Sequence, residues 1–214
     1  MYMIGIVGSG PKSEVPNLKQ FENTIDLWIG VDRGSIDILK ANLPLDYAIG
    51  DFDSVNKEEV ALLKAKTKKF LQYPAEKDET DLELAIAKAI NLKPKAIYLF
   101  GVTGGRLDHE LINIQQLLLI TRNEIEGYII DKNNIIKLVL PGLHKVNNNK
   151  QYPYISFIPF TEKVTNLTLE GFHYPLTKET IVWGSTLCLS NELVSNNGTF
   201  FFDDGILLVI KSRD

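Results

Sequence analysis

The chain has 214 residues, 44% hydrophobic and 23% charged, proportions that fit a globular fold with a buried core and exclude disordered, collagen-like and coiled-coil chains. Its 23 basic against 27 acidic side chains leave a net charge of −4 at pH 7, which offers no basic stripe to a polyanion and disfavours a nucleic-acid partner. One cysteine, Cys188, excludes a disulfide framework and a thiolate zinc cluster, and no run of about 18 apolar residues suggests a membrane span, so a cytoplasmic setting off the membrane is expected.

In chain order, short apolar runs at 2–7, 27–31, 47–50, 70–73, 96–100 and 127–131 predict strands. Between them, 35–41, 57–66, 82–90 and 107–120 carry apolar residues at helical spacing, such as Leu107, Leu111, Ile114 and Leu118. This alternation predicts an α/β domain with a mostly parallel, doubly wound sheet over residues 1–130. Thr80-Asp81-Leu82-Glu83 fits a capping box that starts one helix. From about residue 133 the character changes to short strands, at 135–140, 154–160, 164–170, 180–189, 199–202 and 206–211, separated by Gly, Asn and Pro turns. An all-β sandwich over residues 131–214 is expected, with 143–152 as a polar loop. Trp28, Trp183 and Cys188 fall in predicted strands and read as core residues.

Ligands of open parallel sheets bind beyond the carboxyl ends of the strands, so the residues after each strand carry the functional signal. These are acids and glycines: Asp32-Arg33-Gly34, Gly50-Asp51-Phe52-Asp53-Ser54, Glu76-Lys77-Asp78-Glu79-Thr80-Asp81 and Thr103-Gly104-Gly105-Arg106-Leu107-Asp108. A lone aspartate is an ordinary turn or cap residue. Several converging on one sheet edge repel unless a cation neutralises them, and hard oxygen ligands select Mg²⁺ over zinc. Thr103–Arg106 supplies backbone N–H groups leading into a helix start, and Arg106 with Lys77 supplies positive charge, as phosphate recognition requires. The combination points to a magnesium nucleotide.

Other motifs carry less. Gly5–Ser13 looks like a phosphate-binding loop, but Pro11 displaces Lys12 and removes an N–H. Gly8-Ser9-Gly10 lacks the third glycine of the dinucleotide fingerprint. Asp51-Phe52-Asp53 matches the nucleophile loop of haloacid-dehalogenase-type phosphatases, which that family carries on its first strand rather than its third. His109, His144 and His173 are scattered, and none forms a readable catalytic arrangement.

Gly50-Asp51-Phe52-Asp53-Ser54, Lys77-Asp78-Glu79-Thr80-Asp81 and Thr103-Gly104-Gly105-Arg106-Leu107-Asp108-His109, in that order and followed by a β domain with Ser190-Asn191-Glu192, resemble the thiamine pyrophosphokinase family over nearly the whole chain. The resemblance implies transfer of the terminal diphosphate of ATP to the hydroxyl of thiamine, with Mg²⁺ as cofactor, giving thiamine diphosphate and AMP. It implies Asp51, Asp53 and Asp81 as metal ligands and, with Lys77, as catalytic residues. Asp32, Arg33, Thr103, Gly104, Gly105, Arg106, Asp108 and His109 are implied on the nucleotide side, and Ser190 and Asn191 on the thiamine side. It further implies a nucleotide-binding catalytic domain at 1–130, a thiamine-binding and dimerisation domain at 131–214, and a homodimer with the active site at the subunit interface. The sequence departs from many relatives at Arg33 and in Thr186-Leu187-Cys188-Leu189, which precedes Ser190. Two other readings stand beside this one. One is a Mg²⁺-dependent phosphohydrolase with Asp51 as nucleophile, the other a non-catalytic protein that binds nucleotide or thiamine.

Overall fold

A computed structural model describes residues 2–214, which divide into two compact units meeting in sequence between Lys132 and Asn133. Among these residues no helix is long and apolar enough to cross a membrane.

Unit 1 contains strands β1 (Met3–Val7), β2 (Leu27–Val31), β3 (Tyr47–Gly50), β4 (Lys69–Gln72), β5 (Ala96–Phe100) and β6 (Glu126–Ile130). They form parallel pairs in the order β4-β3-β2-β1-β5-β6. The direction of winding reverses between β1 and β5, so the crevice for a ligand opens at the carboxyl ends of these two strands. Central strands covered on both faces demand unbroken apolar runs, and Ile4, Ile6, Val7, Ile29, Val31, Ile97, Leu99 and Phe100 are all buried. The edge strand β4 has no such demand, and both its terminal residues are exposed.

Four helices connect the strands: α1 (Arg33–Lys40), α2 (Lys57–Lys66), α3 (Asp81–Asn91) and α4 (Leu107–Arg122). At α3 the Thr80 hydroxyl accepts a hydrogen bond from Glu83 N at 3.2 Å, one half of the expected box. The full reciprocal pair occurs at α2, between Asn56 and Glu59. Helix α4 forms where its spacing predicts, but with another face inward. Leu117 and Ile120 are buried, whereas Leu107 and Leu111 are 68% and 54% exposed. A Cβ at Gly127 of β6 would lie 3.1 Å from both Leu117 and Ile120, so close helix–strand contact selects that face.

Unit 2 contains β7 (Asn134–Val139), β8 (Gly142–Asn147), β9 (Tyr154–Pro159), β10 (Lys163–Glu170), β11 (Leu176–Val182), β12 (Asn197–Phe202) and β13 (Leu207–Ser212). β13 pairs antiparallel with both β7 and β9, and the other four strands run antiparallel in the order β11-β10-β12-β8. Their inward faces share one apolar core, in which the Phe157 ring meets Phe172 and Phe200 edge-on at 5.4 and 5.0 Å. The α/β-then-sandwich architecture is the one expected.

Three details of unit 2 differ from the expected pattern. Residues 143–147, read as the start of a loop over 143–152, belong to β8 on the edge beside β12; only Val146 of this strand is buried, so its composition is that of a polar turn. The strand expected at 180–189 ends at Val182, because Gly184, at φ +81°, turns the chain and Ser185 N bonds back to Val182 O. Trp183 therefore stands in a turn, 66% exposed rather than in the core. Cys188 lies beyond the strand but is 3% exposed, packed in the sandwich core.

Candidate active site

At the carboxyl edge of the parallel sheet lies a cleft of about 960 Å³, a size that accommodates a small-molecule ligand. The loops after β1, β2, β3, β4 and β5 and the starts of α3 and α4 line it, all within unit 1.

Its acidic wall is assembled from three segments. Asp32 follows β2, Asp51 follows β3 and Asp81 opens α3, and one carboxylate oxygen from each lies within 4.8 Å of the others. Backbone geometry holds this approach. Asp32 adopts φ +45° and its Oδ1 accepts from Phe52 N at 3.1 Å instead of capping α1. Phe52 is itself at φ +61°, buried, and stacks on Phe70 of β4 at 4.5 Å. Gly50, at φ +152°, is required here, since a Cβ on it would lie 1.8 Å from Asp32 Oδ1. Two non-glycine residues in left-handed conformations facing each other mark strain that the surrounding packing maintains, a pattern typical of functional loops.

The electrostatics follow from this crowding. Burial, then the charge of Asp81, pushes the Asp32 carboxyl up to about 6; Asp51 and Asp53 add to the rise, and the Phe52 N–H opposes it. Lys77 lies 3.0 Å from Asp81 Oδ1, in ion-pair contact without hydrogen-bond geometry, and donates to Pro74 O at 3.0 Å. Asp81 Oδ1 is thus a buried oxygen that accepts no hydrogen bond. Three carboxylates beside one ammonium, with an oxygen left unsatisfied, fit a hard divalent cation held through oxygen. Asp53 lies outside this trio: it is exposed, and its N–H donates to Asp51 Oδ1 at 3.0 Å. The geometry thus groups Asp32 with Asp51 and Asp81 where the sequence suggested Asp53.

The remaining residues fall into place around the cleft. Thr103, Gly105, Arg106 and His109 line it; Gly104 and Asp108 belong to the same loop and helix start but do not. Arg106 and Asp108 are ion-paired at 2.6 Å on the exposed rim, which holds the Asp108 carboxyl below its ordinary range. Arg33 is tied to Ser54 O at 3.2 Å and lies 3.7 Å from Glu59, bracing the loop after β3.

In unit 2, Ser190 is exposed at φ +50°, with its N–H bonded to Ser156 Oγ at 3.0 Å. Asn191 is 2% exposed, and its amide both donates to Tyr174 O at 2.8 Å and accepts from Tyr174 N at 3.0 Å. The Asn191 side chain is therefore engaged in holding the exposed Tyr174.

Sequence reasoning passed over Gly8, Ser9, Gly10 and Pro11, which line the cleft. The strand-end rule applied to β1 finds them; the sequence reads them only against the dinucleotide fingerprint and as a phosphate-binding loop. They are not one, because Gly8 N and Gly10 N donate to Phe100 O and Gly101 O at 2.8 Å, and Lys12 pairs with Asp37 at 3.3 Å. Glu110 and Asn113, on the cleft wall from α4, had no signal in the sequence.

The sequence model described as thiamin pyrophosphokinase, catalytic domain, matches residues 18–129, and that described as thiamin pyrophosphokinase, vitamin B1 binding domain, matches 143–207. A thiamine pyrophosphokinase from Bacillus subtilis is 44% identical over the full length of both chains. The crystal structure of the Bacillus subtilis thiamine pyrophosphokinase superposes with a TM-score of 0.93, covering 99% of each chain at 44% identity. That of the Geobacillus thermodenitrificans thiamin pyrophosphokinase gives 0.91, covering 99% of this chain and 98% of that one at 43% identity. Neither the phosphohydrolase nor the non-catalytic reading gains support from these relatives. With two matched domains and full-length similarity at this level, the chain belongs to the thiamin pyrophosphokinase family.

Proposed function

We propose that the protein is a Mg²⁺-dependent thiamine pyrophosphokinase that moves the terminal diphosphate of ATP to the hydroxyl of thiamine, releasing AMP. The observation that carries this reading is the half-buried trio Asp32, Asp51 and Asp81 beside Lys77, in a cleft at the switch point of the sheet.

In this reading the three carboxylates hold the metal, which supplies charge neutralisation at the phosphate oxygens. The thiamine oxygen attacks the β-phosphorus, the bond from that phosphorus to the α–β bridging oxygen breaks, and AMP leaves. Lys77, only 11% exposed at its side chain, keeps an ammonium on the cleft wall where negative charge shifts between oxygens. Arg106 brings a second cation on the rim, by exchanging its Asp108 partner for phosphate. A carboxylate, Asp81 or Asp53, takes the hydroxyl proton. Thr103, Gly105 and His109 contact the nucleotide from the loop after β5. In unit 2, Ser190 and the Asn191-anchored Tyr174 face thiamine, whose cationic thiazolium suits an aromatic surface.

We also assign a cytoplasmic homodimer with the active site at the subunit interface. Support comes from exposed apolar side chains that want cover in both units: Leu107, Leu111, Ile112 and Leu119 of α4, 39–68% exposed, and Trp183, 66% exposed, in the unit read as the dimerisation domain. Light scattering on the purified protein tests the dimer.

Incubation with thiamine, ATP and Mg²⁺, with products resolved by chromatography, tests the activity. AMP and thiamine diphosphate appearing together only in the complete mixture is the expected result. ADP, or phosphate without thiamine diphosphate, would refute it.

A further inference from the structure

The loop after β5 is fixed residue by residue. Asn113 Nδ2 donates to Val102 O at 2.8 Å, the Thr103 hydroxyl donates to Asp131 Oδ2 at 2.9 Å, and Gly104 N donates to Glu110 Oε2 at 2.9 Å. Three consecutive residues are thus held by three side chains, two from α4 and one from the end of β6. Thr103 and Asp131 are each 6% exposed, so their bond is shielded from water, where competition would weaken it. Gly104 sits at φ +78°, and a Cβ there would lie 2.5 Å from Glu14 Cγ, so the loop has little freedom to settle otherwise. The next residues, Gly105 and Arg106, are on the cleft wall.

We propose that Asn113, Asp131 and Glu110 are positioning residues for the nucleotide: they lock residues 102–104 so that Gly105 and Arg106 receive the phosphates without reordering the loop. The gain is preorganisation, since a loop already fixed in its bound shape loses less conformational entropy when the ligand arrives. Glu110 serves as a hydrogen-bond acceptor for Gly104 and Asn113 as a donor to Val102. The chemical requirement at each position is therefore specific: an amide can replace the carboxylate at 110, but a carboxylate cannot replace the amide at 113. This inference rests on the ATP-dependent reading above.

Calorimetric titration with Mg-ATP in the absence of thiamine, alongside steady-state kinetics, tests it. Glu110→Ala and Asn113→Ala are expected to weaken Mg-ATP binding about tenfold each, the equivalent of one lost hydrogen bond. Glu110→Gln should bind within about twofold of wild type, while Asn113→Asp should be as weak as Asn113→Ala. The KM for thiamine should stay within about twofold in all four variants, because the effect is confined to the nucleotide side. Glu110→Gln matching the loss of Glu110→Ala, Glu110→Ala binding Mg-ATP more tightly, or a loss confined to kcat would each overturn the proposal. Wild-type protein that binds Mg-ATP but makes no thiamine diphosphate would refute the assigned activity while leaving the loop test intact. Wild-type protein that fails to bind Mg-ATP would overturn both.

Discussion

The two units of the molecule differ in how completely their buried polar groups are matched: unit 1 pairs some of them, such as Thr103 with Asp131, and leaves others without a hydrogen bond. In unit 1, the buried side-chain oxygens of Ser35, Thr67 and Asp81 have no hydrogen-bond partner, and Asp32 sits in a strained conformation with its carboxyl pushed up to about 6. In unit 2, the buried Ser156 and Asn191 are matched to backbone groups, of Ser190 and of Tyr174. Incomplete compensation is costly and persists where binding supplies the missing partner; complete compensation fixes a scaffold. In the proposed reading the charge chemistry belongs to the parallel sheet, and the sandwich presents a rigid surface.

Breaking the first half of that contrast should have the largest effect. Asp51→Asn is expected to lower thiamine diphosphate formation about a thousandfold with the circular dichroism spectrum unchanged. Turnover within tenfold of wild type would remove Asp51 from the metal trio. On the other side, Phe157→Ala takes away the ring that meets both Phe172 and Phe200, and should cost about 4 kcal/mol in urea unfolding. A loss below about 1 kcal/mol would mean that the sandwich core does not depend on this contact. Asn191→Ala sharpens the comparison, since it strips both amide bonds from Tyr174. About 2 kcal/mol of stability should go, together with a raised KM for thiamine and an unchanged KM for ATP. Loss of thiamine affinity with no loss of stability would make Asn191 a direct ligand contact rather than a brace.

The smallest effect concerns pH. The Asp32 carboxyl ionises near its ordinary 3.8 in the unfolded chain and near 6 in the folded protein, so the fold binds the proton more tightly. Its contribution to stability is fully present below pH 3.8 and is lost as the pH rises through about 6. In metal-free protein, wild type should therefore lose melting temperature relative to Asp32→Asn across this interval. Parallel curves would show that Asp32 does not carry the charge strain.

Legibility in the sequence followed the same divide. Parallel strands buried on both faces must be continuous apolar runs, so β1, β2, β3 and β5 stood out, and the strand-end rule then pointed to Asp32, Asp51 and Thr103. It did not reveal that Asp53 stays exposed, since that depends on the left-handed turn at Phe52. Glu110 and Asn113 were invisible because helical spacing on α4 does not tell which face meets a loop. In the sandwich, β8 has one buried residue and read as a turn, while the apolar stretch beyond Trp183 read as strand although Gly184 turns it. Asn191 was singled out through the family resemblance carried by Ser190-Asn191-Glu192, yet its bonds to Tyr174 come from a chain segment 17 residues away that no local pattern announces.

Cys188, enclosed in the sandwich core, has a thiol that burial and then the charge of Glu179 push up to about 11. Almost none of it is thiolate at neutral pH, and thiolate is the reactive form, so alkylating reagents meet an inert group while unit 2 stays closed. The single cysteine thus serves as a built-in chemical clock: its rate of labelling reports how often the sandwich opens, and thiamine binding that quietens the opening would slow it.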